Sequence, residues 1–331
     1  MRSPRVTVVL GTYNQAKYLP TAIESVLNQT FPDWELLVIN NASPDNTRQV
    51  TAPYEDDPRI RCFHFSENGN VSRRLNDAIR ESRGEFISIL YGDDYYLPTK
   101  LEHQVRRMDE LGHEVGVLYG PGYRLFDSSG EQTMGVCADY SGMVFPDLLK
   151  TWAKRTVWPI GALIRTSCFD EAPFFEGVFS EGESNYLRLA LFHRFQYDPE
   201  PLTVMREHES NMGKAVRKNV EDFMVVLANL EMSSAFPASC KPVLDGLRAE
   251  YQRNLGWIAI RVADDPTWAL SCFRSAIRSN ASEIRHPRLI MGCALALTPG
   301  PIRRLVNSLG HRLSSEHGHR KLRDSYSRVK R

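Results

Sequence analysis

Phe86-Ile87-Ser88-Ile89-Leu90-Tyr91-Gly92-Asp93-Asp94 runs from an apolar stretch directly into two adjacent carboxylates. A short, nearly uninterrupted apolar run is what a strand buried on both faces requires. Residues 86–90 are therefore expected to form a central strand, with the acidic pair just past its carboxyl end. Adjacent carboxylates repel each other, which costs stability unless a cation or hydrogen-bond donors neutralise them. A hard divalent ion shared with phosphates is one solution. A solvated turn is the plain alternative, and the position immediately after a buried strand weakens it.

The residues upstream repeat the pattern. Val6-Thr7-Val8-Val9-Leu10 reads as a strand, and Leu19, Ile23, Val26 and Leu27 follow at helical spacing until Phe31-Pro32-Asp33 stops them. Leu36-Leu37-Val38-Ile39 is a second strand. Phe63 and Phe65 mark a third, which ends at Asn68-Gly69-Asn70. Val71, Leu75, Ala78 and Ile79 form a helical stripe before the 86–90 strand, and Leu101, Val105 and Met108 form another after it. Such alternation implies α/β architecture with a doubly wound, mostly parallel sheet flanked by helices. Ligands of these sheets bind beyond the carboxyl ends of the strands. Thr12-Tyr13-Asn14, Asn40-Asn41 and Asp93-Asp94 all fall there, so three clusters distant in sequence are expected to share one cleft.

Further on, Val115 to Tyr119, Gly161 to Ile164 and Leu202 to Met205 read as strands, and Leu187, Leu191, Phe192 and Phe195 as a helix. Beyond residue 216 strand signals vanish. Phe223, Val226, Leu227 and Leu230 form one helical stripe; Leu244, Leu247, Tyr251, Leu255 and Ile258 form another. Trp268 to Ile277 looks like one helix of a helical hairpin, too little for a repeat array. The expected organisation is an α/β domain over 1–215 and an all-helical region over 216–331.

The 331 residues carry a net charge of +1 and 42% hydrophobic residues, ordinary for a globular chain and without a whole-protein pull on nucleic acid. Six scattered cysteines with no CxxC pair suggest neither a disulfide framework nor a zinc knot. The first apolar run is too short for a signal peptide, and Leu289 to Leu297 is too short to span a bilayer, which points to a cytoplasmic protein. Near the end, Ile302, Leu305, Val306, Leu309 and Leu313 lie among Arg303, Arg304, Arg312 and further basic residues up to Arg331. That pattern fits a basic amphipathic helix drawn to the inner face of an anionic membrane, or a solvated tail.

Gly11-Thr12-Tyr13-Asn14, Ser25 to Thr30, Trp34 to Ile39, Ala42-Ser43-Pro44-Asp45-Asn46-Thr47, the Gly69 to Asn76 helix start and Gly84-Glu85-Phe86-Ile87 leading to Asp93-Asp94 stand in an order and spacing that resemble glycosyltransferase family 2. The likeness is specific over about ninety residues, weaker to about residue 212, and absent from the helical third. It implies the GT-A fold and metal-dependent, inverting transfer of a sugar from a nucleoside-diphosphate sugar to a hydroxyl acceptor, whether glycan, lipid-linked glycan or small molecule. By the same resemblance Thr12, Tyr13, Asn14, Asn41, Arg73, Arg74 and Asp93 would meet the donor nucleotide, and Asp94 would hold Mn²⁺ or Mg²⁺. His208, in Met205-Arg206-Glu207-His208-Glu209-Ser210-Asn211, would be a further metal ligand or a diphosphate contact.

The chain departs from the family pattern twice. Asn40-Asn41 stands where two acids are usual; Asn41 still offers an amide oxygen but also donates and carries no charge, so the donor base is open. The usual base position before Tyr186-Leu187-Arg188-Leu189 is Gly182, leaving Glu181 or Glu183 to deprotonate the acceptor. Trp152, Trp158 and Phe174-Phe175 suggest an acceptor surface of sugar-stacking aromatics, with core packing as the alternative. Two other readings remain. A non-catalytic nucleotide-sugar binder or scaffold is kept open by Gly182 and Asn40-Asn41. A nucleotidyltransferase is disfavoured because Gly11-Thr12-Tyr13-Asn14-Gln15 is no Gly-rich basic loop.

Overall fold

The computed structural model describes residues 3–211 and 216–313. The chain divides into two compact units, Met1–His208 and Glu209–Arg331.

The first unit holds, in chain order, β1 (Val6–Thr12), α1 (Leu19–Leu27), β2 (Trp34–Asn40), α2 (Thr47–Thr51), β3 (Ile60–His64), α3 (Val71–Arg80), β4 (Phe86–Tyr91), β5 (Tyr95–Tyr96) and α4 (Lys100–Leu111). There follow β6 (Val115–Tyr119), β7 (Tyr123–Phe126), β8 (Gln132–Met134), α5 (Phe145–Thr151), β9 (Leu163–Arg165), α6 (Cys168–Glu171), α7 (Asn185–Phe192), β10 (Arg194–Tyr197) and β11 (Thr203–Glu207). Seven strands form the central sheet in the order β10-β6-β9-β4-β1-β2-β3, and four form a smaller sheet, β5-β11-β7-β8. In the central sheet β9 alone runs antiparallel to its neighbours; β3, β2, β1 and β4 are mutually parallel. The expected mostly parallel α/β sheet is therefore present.

The continuous apolar runs occupy the middle of that sheet because helices cover both faces. Val8 pairs in register with Leu36 on one side and Ser88 on the other, and all three are fully buried. This alignment brings Thr12 beside Asn40, and Gly11 beside Tyr91, at one edge. At the opposite end buried Glu35 gathers Thr7 Oγ1, the Arg83 backbone N–H and guanidinium, and Arg61. These partners outweigh desolvation and hold its carboxyl below the usual range.

Three local readings need correction. Phe195 does not continue the helix of Leu187 and Leu191: the backbone turns extended at His193, and Phe195 belongs to β10. Phe65 lies just past β3. Trp152, Trp158 and Phe174 are buried core side chains, so their faces are not presented to a sugar.

The second unit is helical: α8 (Val216–Glu231), α9 (Lys241–Arg261), α10 (Pro266–Ser279), α11 (Pro287–Leu297) and α12 (Gly300–Leu313). Its core centres on Phe273, whose ring takes the space where a Cβ on Gly256 or Gly292 would stand, at 2.6 and 2.3 Å. No described helix is long and apolar enough to cross a membrane.

Candidate functional site

The polar clusters come together where the parallel strands stop. Beyond β1 the chain reverses at Asn14, which has φ +56° and donates its backbone N–H to Ser43 Oγ. Tyr13 is thereby left 42% exposed at the rim. The Asn41 N–H donates to Thr12 O at 3.1 Å, and the Gly92 N–H to Gly11 O at 2.9 Å. Gly92 is required here, since a Cβ would lie 2.6 Å from Thr12 Oγ1. Thr12, Asn41 and the Asp93-Asp94 turn thus meet at one edge, as the strand pattern implied.

Asp93 and Asp94 are both buried beside the end of β11. Asp94 Oδ1 accepts the Arg206 backbone N–H at 2.9 Å, and no described residue donates to Asp94 Oδ2. Burial, then the charge of Asp93, pushes the Asp94 carboxyl well above the ordinary range; the Arg206 contacts oppose this and Glu207 adds to it. A buried carboxylate with a free oxygen beside a second acid is an arrangement that a cation relieves. These residues therefore fit the divalent ion that the sequence implied. His208 stands beside Asp93 rather than Asp94, with Nε2 3.0 Å from Asp93 Oδ2.

A clamp not visible in the sequence fixes this strand end. Tyr18 stacks on the His208 ring at 4.8 Å and donates its hydroxyl to Asp127 Oδ2 at 2.6 Å. Arg206 donates to Asp127 Oδ1 and to Asp93 O. Tyr18 enters from the start of α1 and Asp127 from the end of β7, and neither lies in a motif.

On the opposite wall Asn41 is already engaged. Its Nδ2 donates to Asn68 Oδ1 and Gly69 O, and its Oδ1 accepts the Gly69 N–H. Arg74 lies flat on the Phe65 ring at 3.6 Å and against Gly69. Arg73, mostly exposed, pairs with Glu176 Oε2 at 2.9 Å. Both arginines sit at the N-terminus of α3, which Asn70 caps.

The two candidate bases separate clearly. Glu181 is buried and accepts from the Phe175 N–H, Arg188 and Asn185. Glu183, past Gly182 at φ +55°, has no side-chain partner among the described residues. It lines a small pocket of about 10 Å³ with Tyr91, Pro159, Asn185 and Tyr186, room for one water. Solvent reaches Glu183, yet the pocket walls desolvate its carboxyl and push it up; the solvent access limits that rise. The Tyr91 hydroxyl is raised by burial and then by the charges of Glu183, Asp94 and Asp93, in that order. One tyrosine therefore senses all three carboxylates. Segment 174–183 is brought here by α3: Val71 N–H donates to Phe179 O, Asn70 to Val178 O, and Ser72 Oγ accepts the Glu181 N–H.

Glu55, Cys62 and His64 hold ligand-type atoms within 4.8 Å at the outer strand β3. Asn40 Oδ1 accepts the Ser43 N–H, so its Nδ2 faces His64 Nδ1 at 3.0 Å. The imidazole proton is then on Nε2, toward Glu55, and burial pushes the Cys62 thiol up to about 12. Both features oppose metal binding there.

The family model Glycosyl transferase family 2 matches residues 7–171. A curated relative from Rickettsia felis, "Uncharacterized glycosyltransferase", is 41% identical over 129 residues, which is 38% of this chain but only 21% of that protein. S. aureus TarS 1-349, solved in complex with UDP-GlcNAc, superposes with TM-score 0.65 at 17% identity, over 98% of this chain and 92% of that one. Mannosyltransferase PcManGT from Pyrobaculum calidifontis, solved with GDP-Man and Mn2+, gives TM-score 0.54 at 19% identity, over 95% and 88%. These likenesses establish the GT-A fold.

Proposed function

We propose that this chain, which belongs to glycosyl transferase family 2 through residues 7–171, moves a sugar from a nucleoside-diphosphate donor to a hydroxyl acceptor with inversion. The observation that carries the reading is the buried Asp93-Asp94 pair with its free Asp94 oxygen: the Asp94 N–H donates to Tyr91 O at 3.0 Å, and Tyr91 lines the same small pocket as Glu183. Donors solved with two structural neighbours, UDP-GlcNAc and GDP-Man, agree with a nucleotide-sugar ligand.

In this reading Asp94 holds a divalent ion, Mn²⁺ or Mg²⁺, which would supply charge neutralisation at the diphosphate leaving group. Asp93, fixed by His208, accepts a donor ribose hydroxyl. Thr12, Tyr13 and Asn14 form the wall for the nucleotide. Asn41 keeps one lone pair of Oδ1 for a base N–H, its other capacity being spent on the 68–70 loop. Glu183 takes the acceptor proton; its raised basicity favours that role. Glu181 instead orients Arg188 and the 174–183 segment.

Thermal-shift titration with UDP-, GDP-, dTDP- and CDP-sugars and Mn²⁺ tests this: one donor class should raise the melting temperature only with the ion present. Asp94→Asn should remove that shift and lower turnover by roughly 10²-fold or more. An unchanged shift in Asp94→Asn would sink the assignment. A second reading, a nucleotide-sugar binder without turnover, draws on Gly182 at the usual base position; donor binding with no sugar release would establish it.

A further inference from the structure

The last described helix of the second unit is turned the wrong way round for a globular protein. An amphipathic helix normally buries its apolar stripe. In α12 the buried residues are Arg303 and Asn307, one turn apart. Arg303 Nε donates to Asp264 Oδ1 at 2.6 Å and Nη1 to Thr298 O, while Asn307 Nδ2 donates to Ile260 O at 3.0 Å. Ile302, Leu305 and Val306 face outward, exposed by 53%, 60% and 39%. The sequence continues their spacing with Leu309 and Leu313, whose side chains lie outside the described residues. On the preceding helix Ile290, Met291 and Leu297 are also exposed, Leu297 by 77%. A polar anchor on the inside and an apolar stripe outside suit a surface that something apolar covers.

Charge identifies the occupant. Residues 300–331 hold nine Lys and Arg, of which the buried Arg303 is paired with Asp264, against Glu316 and Asp324, in a chain whose total is only +1, so the rest of the molecule is net acidic. Arg304 is exposed beside the apolar stripe, 3.6 Å from Asp264 Oδ2; Arg288 is exposed at the start of α11, and Arg285 is exposed in the turn before it. Two such surfaces would repel each other in a homodimer. The segment past α12 offers only Leu322, Tyr326 and Val329 as large apolar side chains, too few to cover the stripe itself. Apolar insertion combined with clustered basic charge is what an anionic bilayer surface accepts.

We propose that α12 is a membrane-surface helix that lies in the headgroup region of an anionic bilayer, apolar stripe inward to lipid, with Arg303 and Asn307 fastening it to the helical unit. The inference is independent of glycosyl transfer, because its readout is lipid binding. Co-sedimentation of the full chain with vesicles of phosphatidylglycerol and phosphatidylcholine, against phosphatidylcholine alone, tests it. Binding should be at least tenfold stronger to the anionic vesicles and should weaken as salt is raised. The double variant Leu305→Asp, Val306→Asp should lose at least tenfold of that binding with an unchanged circular dichroism spectrum and melting temperature, since both residues are exposed. Three results would overturn the proposal: no binding by the parent chain; retention within twofold by the variant, which would assign binding to tail charge alone; or a concentration-dependent dimer that the variant abolishes, which would assign the stripe to a second copy.

Discussion

Glu181 and Glu183 stand two positions apart and have opposite surroundings, which sets opposite expectations for the same substitution. Glu181 has a fully buried side chain held by Arg188 at 2.9 Å. Removing its charge takes an ionised partner from that guanidinium, itself mostly buried. Glu181→Gln should therefore destabilise the first unit by about 1–3 kcal/mol, seen as a lower urea midpoint, and reduce turnover only through misfolding. Glu183 supports no other side chain, so Glu183→Gln should melt within a degree or two of the parent chain yet lose roughly 10²–10⁴ in turnover. Donor and cation binding in that variant should be intact by thermal shift. Loss of turnover with Glu181→Gln in fully folded protein, and none with Glu183→Gln, would reverse the assignment. Sequence spacing leaned only slightly to Glu183; the partners of each carboxylate separate the two acids. The same holds for Asn41, whose amide was visible as a residue type while its bonds to Asn68 and Gly69 were not.

At the scale of elements, β4 and α4 share a wholly buried lysine. Lys100 Nζ donates to Ser88 Oγ at 2.8 Å and Gln104 Oε1 at 2.7 Å and lies 4.2 Å from the Tyr96 ring, with no carboxylate bonded to it among the described residues. Burial pulls its amine from 10.5 down to about 7. Between those values the unfolded chain holds a proton that the folded chain has lost, so stability rises with pH across that window. Below about pH 7 both states are protonated and the full cost of the buried charge remains. Unfolding free energy from urea melts should climb from pH 7 to 9.5 by up to about 1.4 kcal/mol per unit, and Lys100→Met should flatten that slope. The strands around this layer were legible because β1, β2 and β4 are continuous apolar runs, buried on both faces. Of the smaller sheet only β11 was legible, as Leu202 to Met205: β5 has two residues, and β8 is exposed at all three of its own. Tyr18, at the start of α1, and Asp127, just past β7, stand 109 positions apart and meet only in the folded chain. Phe195 fits helical spacing from Leu191, but the extended backbone of His193 overrides it.

Among the described residues, two hydrophobic clusters stand out, one within each unit. One is built on β1, β2, β4, α1 and α4, and the other on α9, α10 and α11 around Phe273. The acidic pair, the clamp and Glu183 all belong to the first, and the membrane-facing stripe to the second. A core mutation in the helical unit should therefore act on stability and lipid binding without reaching the cation site. Phe273 is the test residue, because Gly256 and Gly292 leave its ring as the filling between three helices. Phe273→Ala should cost about 3–5 kcal/mol through the cavity it opens. Hydrogen exchange should speed up in α9, α10 and α11 while amides of β1, β2 and β4 keep their protection, and the thermal shift with Mn²⁺ and donor should persist. Simultaneous loss of protection in β1, β2 and β4 would mean that the two cores unfold as one cooperative block.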